Sequence, residues 1–451
     1  MQTGFIAAID LGTSKITGVI GRKNENNVIS VMAYETVPSN NCVRRGAIHN
    51  VEEAGSKVRK LIDFLEKKIG KRIGRVYVSL AGQSLFCIDV REMRQLPQSG
   101  IITDEIVKQL SVAADKYKPD LKRKYAIADV EYFCDDKPER NPVGVTCSLL
   151  EADYKVIIGR PNLYTNIQKT IVEKSQLQIA DLIVGPLATA AIALNDEEKE
   201  LGCALIDFGA GTTTLSIYKG DILRYLVVIP FGGKTITKDI SELNFTETDS
   251  EQYKIKFGKA KEGQETSFFS SPFSSKPDIN MEELNKVIVM RLDEITANIK
   301  EQIKQSGYKG QLGAGIIITG GASQLKNLDL YLEGKLEMKV RKATAKKTII
   351  NNSPELTNDP AYTQVLGMFL LADEDCEQIY VQSYQDEKIE TKKSISDFTK
   401  KQKKSFSEMK QMVNKKNKEK DKRREEKPKG PSIGERMGNI FGGLFSEDDD
   451  E

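Results

Sequence analysis

The feature that most limits what this chain can fold into is a repeat. Residues 5–10 form an apolar run that ends in Asp10-Leu-Gly-Thr-Ser-Lys, and residues 202–207 form another that ends in Asp207-Phe-Gly-Ala-Gly-Thr-Thr. Each is followed by β-branched stretches, 16–21 and 28–37 in the first copy and 217–218 and 222–229 in the second. Both copies read as an apolar strand, an aspartate, a glycine-rich turn and consecutive antiparallel strands. The aspartates lie 207 − 10 = 197 positions apart. Self-similarity on that scale means a duplicated half-domain, and 451 residues are too many for one ordinary core.

A glycine directly after a strand-end aspartate lets backbone N–H groups approach an anion, because no Cβ stands in the way. Gly12, Thr13, Ser14 and Lys15 make one such turn, and Gly209, Gly211, Thr212 and Thr213 the other. The threonines and serine add hydroxyl donors, and Lys15 adds a cation. An aspartate cannot bind phosphate, but it can hold Mg²⁺ directly or through water. Two such turns face to face would clamp a triphosphate, with Asp10 and Asp207 flanking the metal. Neither turn is a Walker A sequence or a Gly-x-Gly-x-x-Gly fingerprint.

The rest of the chain supplies the frame. Helical spacing of Val51, Ala54, Val58, Leu61 and Leu65 predicts a helix over 51–69, with a strand over 76–81. A different texture runs from about 84 to 160, with a helix after Thr103 and strands near 127–133 and 143–147; it reads as a small inserted α+β subdomain. Helices are expected over 162–175, 250–261, 281–306 and 359–371, and a Ser/Phe/Pro-rich loop over 266–277. A third strand, 315–319, opens onto Gly320-Gly321-Ala-Ser323. The six cysteines form no Cys-x-x-Cys pair and are expected to be reduced core thiols of a cytosolic protein. The lone His49 has no Cys, Ser or second His in its motif to work with and reads as a surface residue. The start of the chain has no charged n-region, so no signal peptide is expected, and no apolar run approaches the ~18 residues that span a bilayer.

These motifs resemble the two phosphate motifs and the adenosine motif of the actin/Hsp70/sugar-kinase superfamily. Within it the chain resembles the FtsA family of bacterial cell-division proteins. Pro186-Leu-Ala-Thr-Ala, Ile229-Pro-Phe-Gly-Gly, and Glu251-x-x-Lys254 followed by Phe-Gly-x-Ala look like signatures of that family. The resemblance covers about 4–373 and the C-terminal tip. It implies an actin-like α/β fold of two duplicated halves around a nucleotide cleft. The first half would be 1–83 with 161–185, and the second 186–240 with 308–384. The insert would be 84–160, and 241–307 a small subdomain of the second half. Residues 192–194 with their flanks, and 362–371, would be connecting helices. Glu251 and Lys254 would hold the ribose and adenine, with Gly320, Gly321 and Ser323 beside them.

Hydrolysis needs a residue that orients the attacking water, and in actin-like members an amide or carboxylate near the first connecting helix does this. Here that segment reads Gly185-Pro-Leu-Ala-Thr-Ala-Ala-Ile-Ala. No catalytic residue is assigned, and tight ATP binding with slow or absent turnover is expected.

Net charge is +2 overall, yet residues 388–429 hold 17 Lys/Arg against 7 Asp/Glu. Such a basic, aromatic-poor stretch (385–430) reads as a disordered linker, and 447–451 as an acidic tip. Between them, 431–446 reads as an amphipathic membrane-targeting helix. Ile433, Met437, Ile440, Phe441, Leu444 and Phe445 share an arc of about 140° at helical spacing, with Arg436 on the polar side. A helix at the end of a linker, with no core nearby, suits a bilayer surface. Its four glycines each cost about 1 kcal/mol of helicity, so it should form only on the membrane. The linker has too few aromatics to serve as a nucleic-acid arm.

The resemblance then implies a peripheral protein on the cytoplasmic face of the membrane at the division site. It would bind ATP and Mg²⁺, polymerise with itself, and tie the FtsZ ring to the membrane. The FtsZ tail would bind the 241–307 subdomain, which holds Lys256 and Lys286, and other divisome proteins would follow. A sugar-type kinase of the same superfamily is the rival, but it would need a catalytic carboxylate and has no use for the tail. An Hsp70-like chaperone would need a β-rich domain where this chain has a linker.

Overall fold

The computed structural model describes residues 4–261, 280–346, 348–350 and 352–378. The chain divides into two units, Met1–Asp386 and Glu387–Glu451. The expected linker, the amphipathic helix with Ile433, Arg436, Met437, Ile440, Phe441, Leu444 and Phe445, the acidic tip and the loop 266–277 lie outside the described residues.

Strands β1 (Ile6–Leu11), β2 (Lys15–Lys23) and β3 (Ile29–Pro38) form an antiparallel meander. A two-residue hairpin follows, β4 (Val43–Arg44) and β5 (Ala47–Ile48). Helix α1 spans Val51–Ile69 as its spacing predicts. The Asn50 side chain accepts from the Glu53 N–H, and Gly70 ends the helix at φ 67°. Strand β6 (Arg75–Leu80) then runs parallel to β1.

The insert contributes β7 (Phe86–Ile101), α2 (Asp104–Lys116), β8 (Arg123–Cys134), β9 (Lys137–Glu139) and β10 (Thr146–Gly159). Helix α3 (Asn162–Gln168) continues as a π-helical turn and leads to β11 (Gln178–Val184). Next come α4 (Gly185–Ala193) and α5 (Asp196–Leu201), then β12 (Cys203–Phe208), β13 (Thr213–Lys219) and β14 (Ile222–Ile229). Helices α6 (Gly233–Ser241), α7 (Glu247–Phe257) and α8 (Met281–Gln305) precede β15 (Ile316–Thr319). The body closes with α9 (Leu328–Leu336), β16 (Val340–Lys342), α10 (Pro354–Thr357) and α11 (Thr363–Leu371).

The repeat in sequence is a repeat in space. One sheet has the order β11-β6-β1-β2-β3, and the other begins β16-β15-β12-β13-β14. Direction matches as well: β6 and β15 run parallel to β1 and β12, while β2 and β13 run antiparallel to them. Register matches too. Asp10 pairs with Thr17 and Asp207 with Thr214, seven positions on in each copy (17 − 10 = 214 − 207). Helices α4 and α11 cross between the halves so closely that a Cβ on Gly367 would run into the Ala188 carbonyl. This is the actin-like architecture.

The insert does not have a sheet of its own. Its strands extend the second sheet in the order β14-β7-β10-β8-β9. Sequence reading missed β7, the longest described strand, and caught only the start of β10: the strand expected near 143–147 overlaps it at Thr146 and Cys147 alone. The reason is the charge on one face of β7. Asp89 and Arg91 sit opposite Lys155 and Asp153 of β10, and the pairs close at 2.6 Å each. That ladder hides the apolar alternation that marks a strand. The other face, with Leu150, Ala152, Tyr154 and Val156, packs with Leu110 and Ala114 of α2 in one apolar cluster.

Candidate functional site

Both glycine-rich turns are four-residue connections of the same kind. Leu11 pairs with Ile16, which leaves 12–15 as the first turn, and Phe208 pairs with Thr213, which leaves 209–212 as the second. Ser39 braces the first turn: its hydroxyl donates to Gly12 O at 2.6 Å and its N–H donates to Ser14 O at 2.9 Å. The start of α6 braces the second, with Gly233 N donating to Gly209 O at 3.0 Å and Lys234 N to Ala210 O at 2.8 Å. The two turns meet: a Cβ built on Gly211 would come within 2.6 Å of Thr13 Oγ1. Lys234 Nζ also donates to Asn41 Oδ1 across the halves at 3.0 Å.

Asp10 and Asp207 are the next-to-last residues of β1 and β12, beside these turns. Burial lifts the Asp10 carboxyl above its ordinary value, against the hydrogen bonds from Ser79 and Gln364 and the charge of Lys15. Asp207 is pushed up to about 6 by burial first and the charge of Asp10 second, with the Thr189 hydroxyl opposing. Burial raises both carboxyls and the Asp10 charge raises Asp207 further, and two such groups side by side suit a divalent cation that keeps most of its waters.

Lys15 does not reach into open space. Its ammonium lies 3.7 Å from the centroid of the Tyr362 ring, a cation–π contact that parks it beside the cleft. Thr213 lies outside the turn: it is buried in β13 and its hydroxyl donates to Phe231 O at 2.9 Å. Thr212 closes the second turn, its carbonyl accepting from Gly209 N at 2.9 Å.

The expected adenosine side forms one cluster. Gly320 follows β15 with φ 87°, the left-handed region, and a Cβ there would run into Asp207 Oδ1. Ser323 is buried, and its hydroxyl donates to Gly320 O at 2.7 Å, which locks the turn containing Gly321. Glu251 and Lys254 of α7 form an ion pair at 2.7 Å. Lys254 Nζ also donates to Gly233 O at 2.9 Å and Thr237 Oγ1 at 2.8 Å. A Cβ on Gly233 would touch Ala322 Cβ at 3.0 Å, Lys254 Nζ at 3.5 Å and Gly209 O at 3.8 Å. The second turn, the Gly320 turn and α7 therefore converge there. His49 is exposed.

Sequence reading missed several residues of this cleft: Ser79, Thr189, Thr237, Tyr362 and Gln364. Gln364 matters most, because its amide donates to Asp10 Oδ1 at 2.6 Å. The first connecting helix has no amide of its own, but the space above Gly185 is filled by the Gln364 side chain of the second. A Cβ on Gly185 would lie 2.5 Å from Gln364 Oε1. One signal was available: Gln364 is the only strongly polar residue in the run 363–371.

Known proteins resemble this chain over most of its length. Residues 204–367 match the family model described as "Cell division protein FtsA". A "Cell division protein FtsA" from Porphyromonas gingivalis is 30% identical over 98% of this chain and 97% of its own length. The protein of that name from Escherichia coli K12 is 25% identical over 81% of this chain and 89% of its own. Among solved structures, a chain of the "PilM-PilN type IV pilus biogenesis complex" superposes with a TM-score of 0.57 at 16% identity. That match covers 81% of this chain and 97% of the other, and it speaks to the fold.

Proposed function

This chain belongs to the FtsA family of cell division proteins, and on that premise we propose that it is an ATP-loaded, actin-like adaptor that polymerises on the inner face of the cytoplasmic membrane and ties the FtsZ ring to it. The observation that carries the nucleotide part is the meeting of the two repeated turns, with Asp10 and Asp207 behind them and Glu251, Lys254 and the Gly320 turn to one side. ATP would lie with its phosphates against both turns where they meet, and its ribose and base toward Glu251. Mg²⁺ fits the donor set, since two part-buried carboxylates and a phosphate leave room for the waters this ion retains. No group of three or more His, Cys, Asp or Glu suited to a metal occurs among the described residues, so the phosphates would complete the shell. ATP would act mainly as a structural ligand, with slow or absent turnover.

Membrane contact is proposed for 431–446, with the basic linker adding attraction to anionic lipid of roughly 1 kcal/mol per cation close to the surface. No described helix is long and apolar enough to cross a membrane. One such anchor is weak, and many along a polymer act together. The FtsZ tail, an acidic-hydrophobic peptide, would bind at 241–307, where Lys256 and Lys286 are exposed on α7 and α8. Later divisome proteins would join the assembled body.

The test is co-sedimentation with anionic liposomes in the presence of ATP, comparing the intact chain with one ending at Lys429. The intact chain should pellet and the shortened one stay in solution. Equal behaviour would remove 431–446 as the anchor. A variant that cannot polymerise but binds liposomes as well as the wild type would break the link between assembly and membrane binding.

A further inference from the structure

Building on the nucleotide-site reading, we propose that Gln364 is the positioning residue for Asp10, fixing which carboxylate oxygen faces the bound metal and its waters. Ser79 Oγ and Gln364 Nε2 both donate to the same oxygen, Asp10 Oδ1, each at 2.6 Å. The Ser79 oxygen is itself fixed, because it accepts from Leu11 N at 3.2 Å and has one proton to give. No described donor reaches Oδ2. That oxygen lies toward the first turn, 3.7 Å from where a Cβ on Gly12 would stand. Asp10 is thereby held with one oxygen saturated and the other presented to the cleft.

The amide can do this only because of what surrounds it. A carboxylate accepts and does not donate, so the NH₂ end of Gln364 must face Asp10 and the carbonyl must face away. The carbonyl packs over Gly185, where a side chain would displace it: a Cβ there would lie 2.5 Å from Oε1 and 2.7 Å from Cδ. Two residues earlier, Tyr362 holds Lys15. Tyr362 and Gln364, at and just inside the start of α11, therefore hold both charged groups of the first repeat. Partners that orient metal-binding carboxylates typically change metal affinity 10–100-fold when removed.

The experiment is equilibrium binding of a fluorescent ATP analogue to the full chain, in Mg²⁺ and in EDTA. Two variants are compared with the wild type. Gln364→Leu deletes the amide. Gly185→Ala pushes it off Asp10 and displaces only the end of a flexible side chain, so the fold is retained. In both, the gain in affinity that Mg²⁺ gives should shrink about tenfold or more, while affinity in EDTA stays within about twofold. A wild-type Mg²⁺ gain in both variants, or equal losses in Mg²⁺ and EDTA, would overturn the proposal and leave the nucleotide site standing. A wild-type chain that binds the analogue with no response to Mg²⁺, or does not bind it, would overturn the metal-site reading itself and this inference with it.

Discussion

Thr13 and Gly211, one from each copy of the repeat, touch: a Cβ on Gly211 would sit 2.6 Å from Thr13 Oγ1, 2.8 Å from its Cγ2 and 3.0 Å from its Cβ. The halves meet turn to turn, and the glycine is what allows it. Gly211→Ala should force the turns apart and cost about 1–3 kcal/mol in urea unfolding. Thr13→Gly in the same chain should recover most of that loss, a coupling that a double-mutant cycle measures. Simple additivity of the two changes would rule out the contact as the cause.

Asp207 sets a pH dependence. Its carboxyl is held at about 6 in the fold against an ordinary 3.8. The folded state binds this proton more tightly than the unfolded one, so the stability it contributes is present below about pH 4 and lost as pH rises through about 6. Ligand-free Asp207→Asn should therefore melt above the wild type at about pH 8, by about 2–4 °C. The gap should close as pH falls toward 4. Melting curves that coincide at about pH 8 would show that neither burial nor the neighbouring Asp10 charge strains the ionised Asp207 in the ligand-free protein.

Glu251 and Lys254 should separate under mutation. The Lys254 side chain is 11% exposed and the Glu251 side chain 42%. Burial lowers the Lys254 pKa while the Glu251 charge opposes this. Lys254→Met removes one donor from the Gly233 carbonyl, which keeps the Thr237 hydroxyl at 3.0 Å, and the ammonium from Thr237 Oγ1 and Glu251, and should cost about 1–3 kcal/mol in denaturant unfolding. Glu251→Ala should leave the melting temperature within about 2 °C and weaken ATP binding by about tenfold. Similar stability losses in both would make the pair structural only.

The insert is fastened along a narrow seam. Between β14 and β7 the ladder holds one pair, Val227 with Phe86. Beside it Arg224 makes a two-pronged ion pair with Glu131, and Leu223 N donates to Asp129 Oδ2 at 2.9 Å. The Arg224 and Glu131 side chains are 12% and 21% exposed, so removing one leaves a largely buried charge. Glu131→Ala should cost about 2–3 kcal/mol. Amides of β7, β8 and β10 should then lose hydrogen-exchange protection before those of β12 and β13. Uniform loss across the body would mean the insert is not a separate unit of opening.

Much of the fold could be read before the structure, because it is written locally. The bounds of α1 followed from apolar spacing, with Asn50 and Gly70 at its ends. The two aspartate turns could be matched by eye, and with them the half-domain repeat. The length of β7 could not, because its charged face is balanced only by residues of β10 more than sixty positions away.

Sequence by itself determined that there are two halves, that each carries an aspartate near a strand end before a glycine-rich turn, and that the tail is basic, then amphipathic, then acidic. These are properties of neighbours in the chain, set by backbone sterics, spacing and charge. Only the tertiary structure decided that Gln364 would reach Asp10 across 354 positions, that Tyr362 would hold Lys15, and that the insert would widen the second sheet. Those outcomes depend on how α4 and α11 cross. The close approach of Gly367 to Ala188 fixes that crossing, and spacing along the sequence contains no term for it.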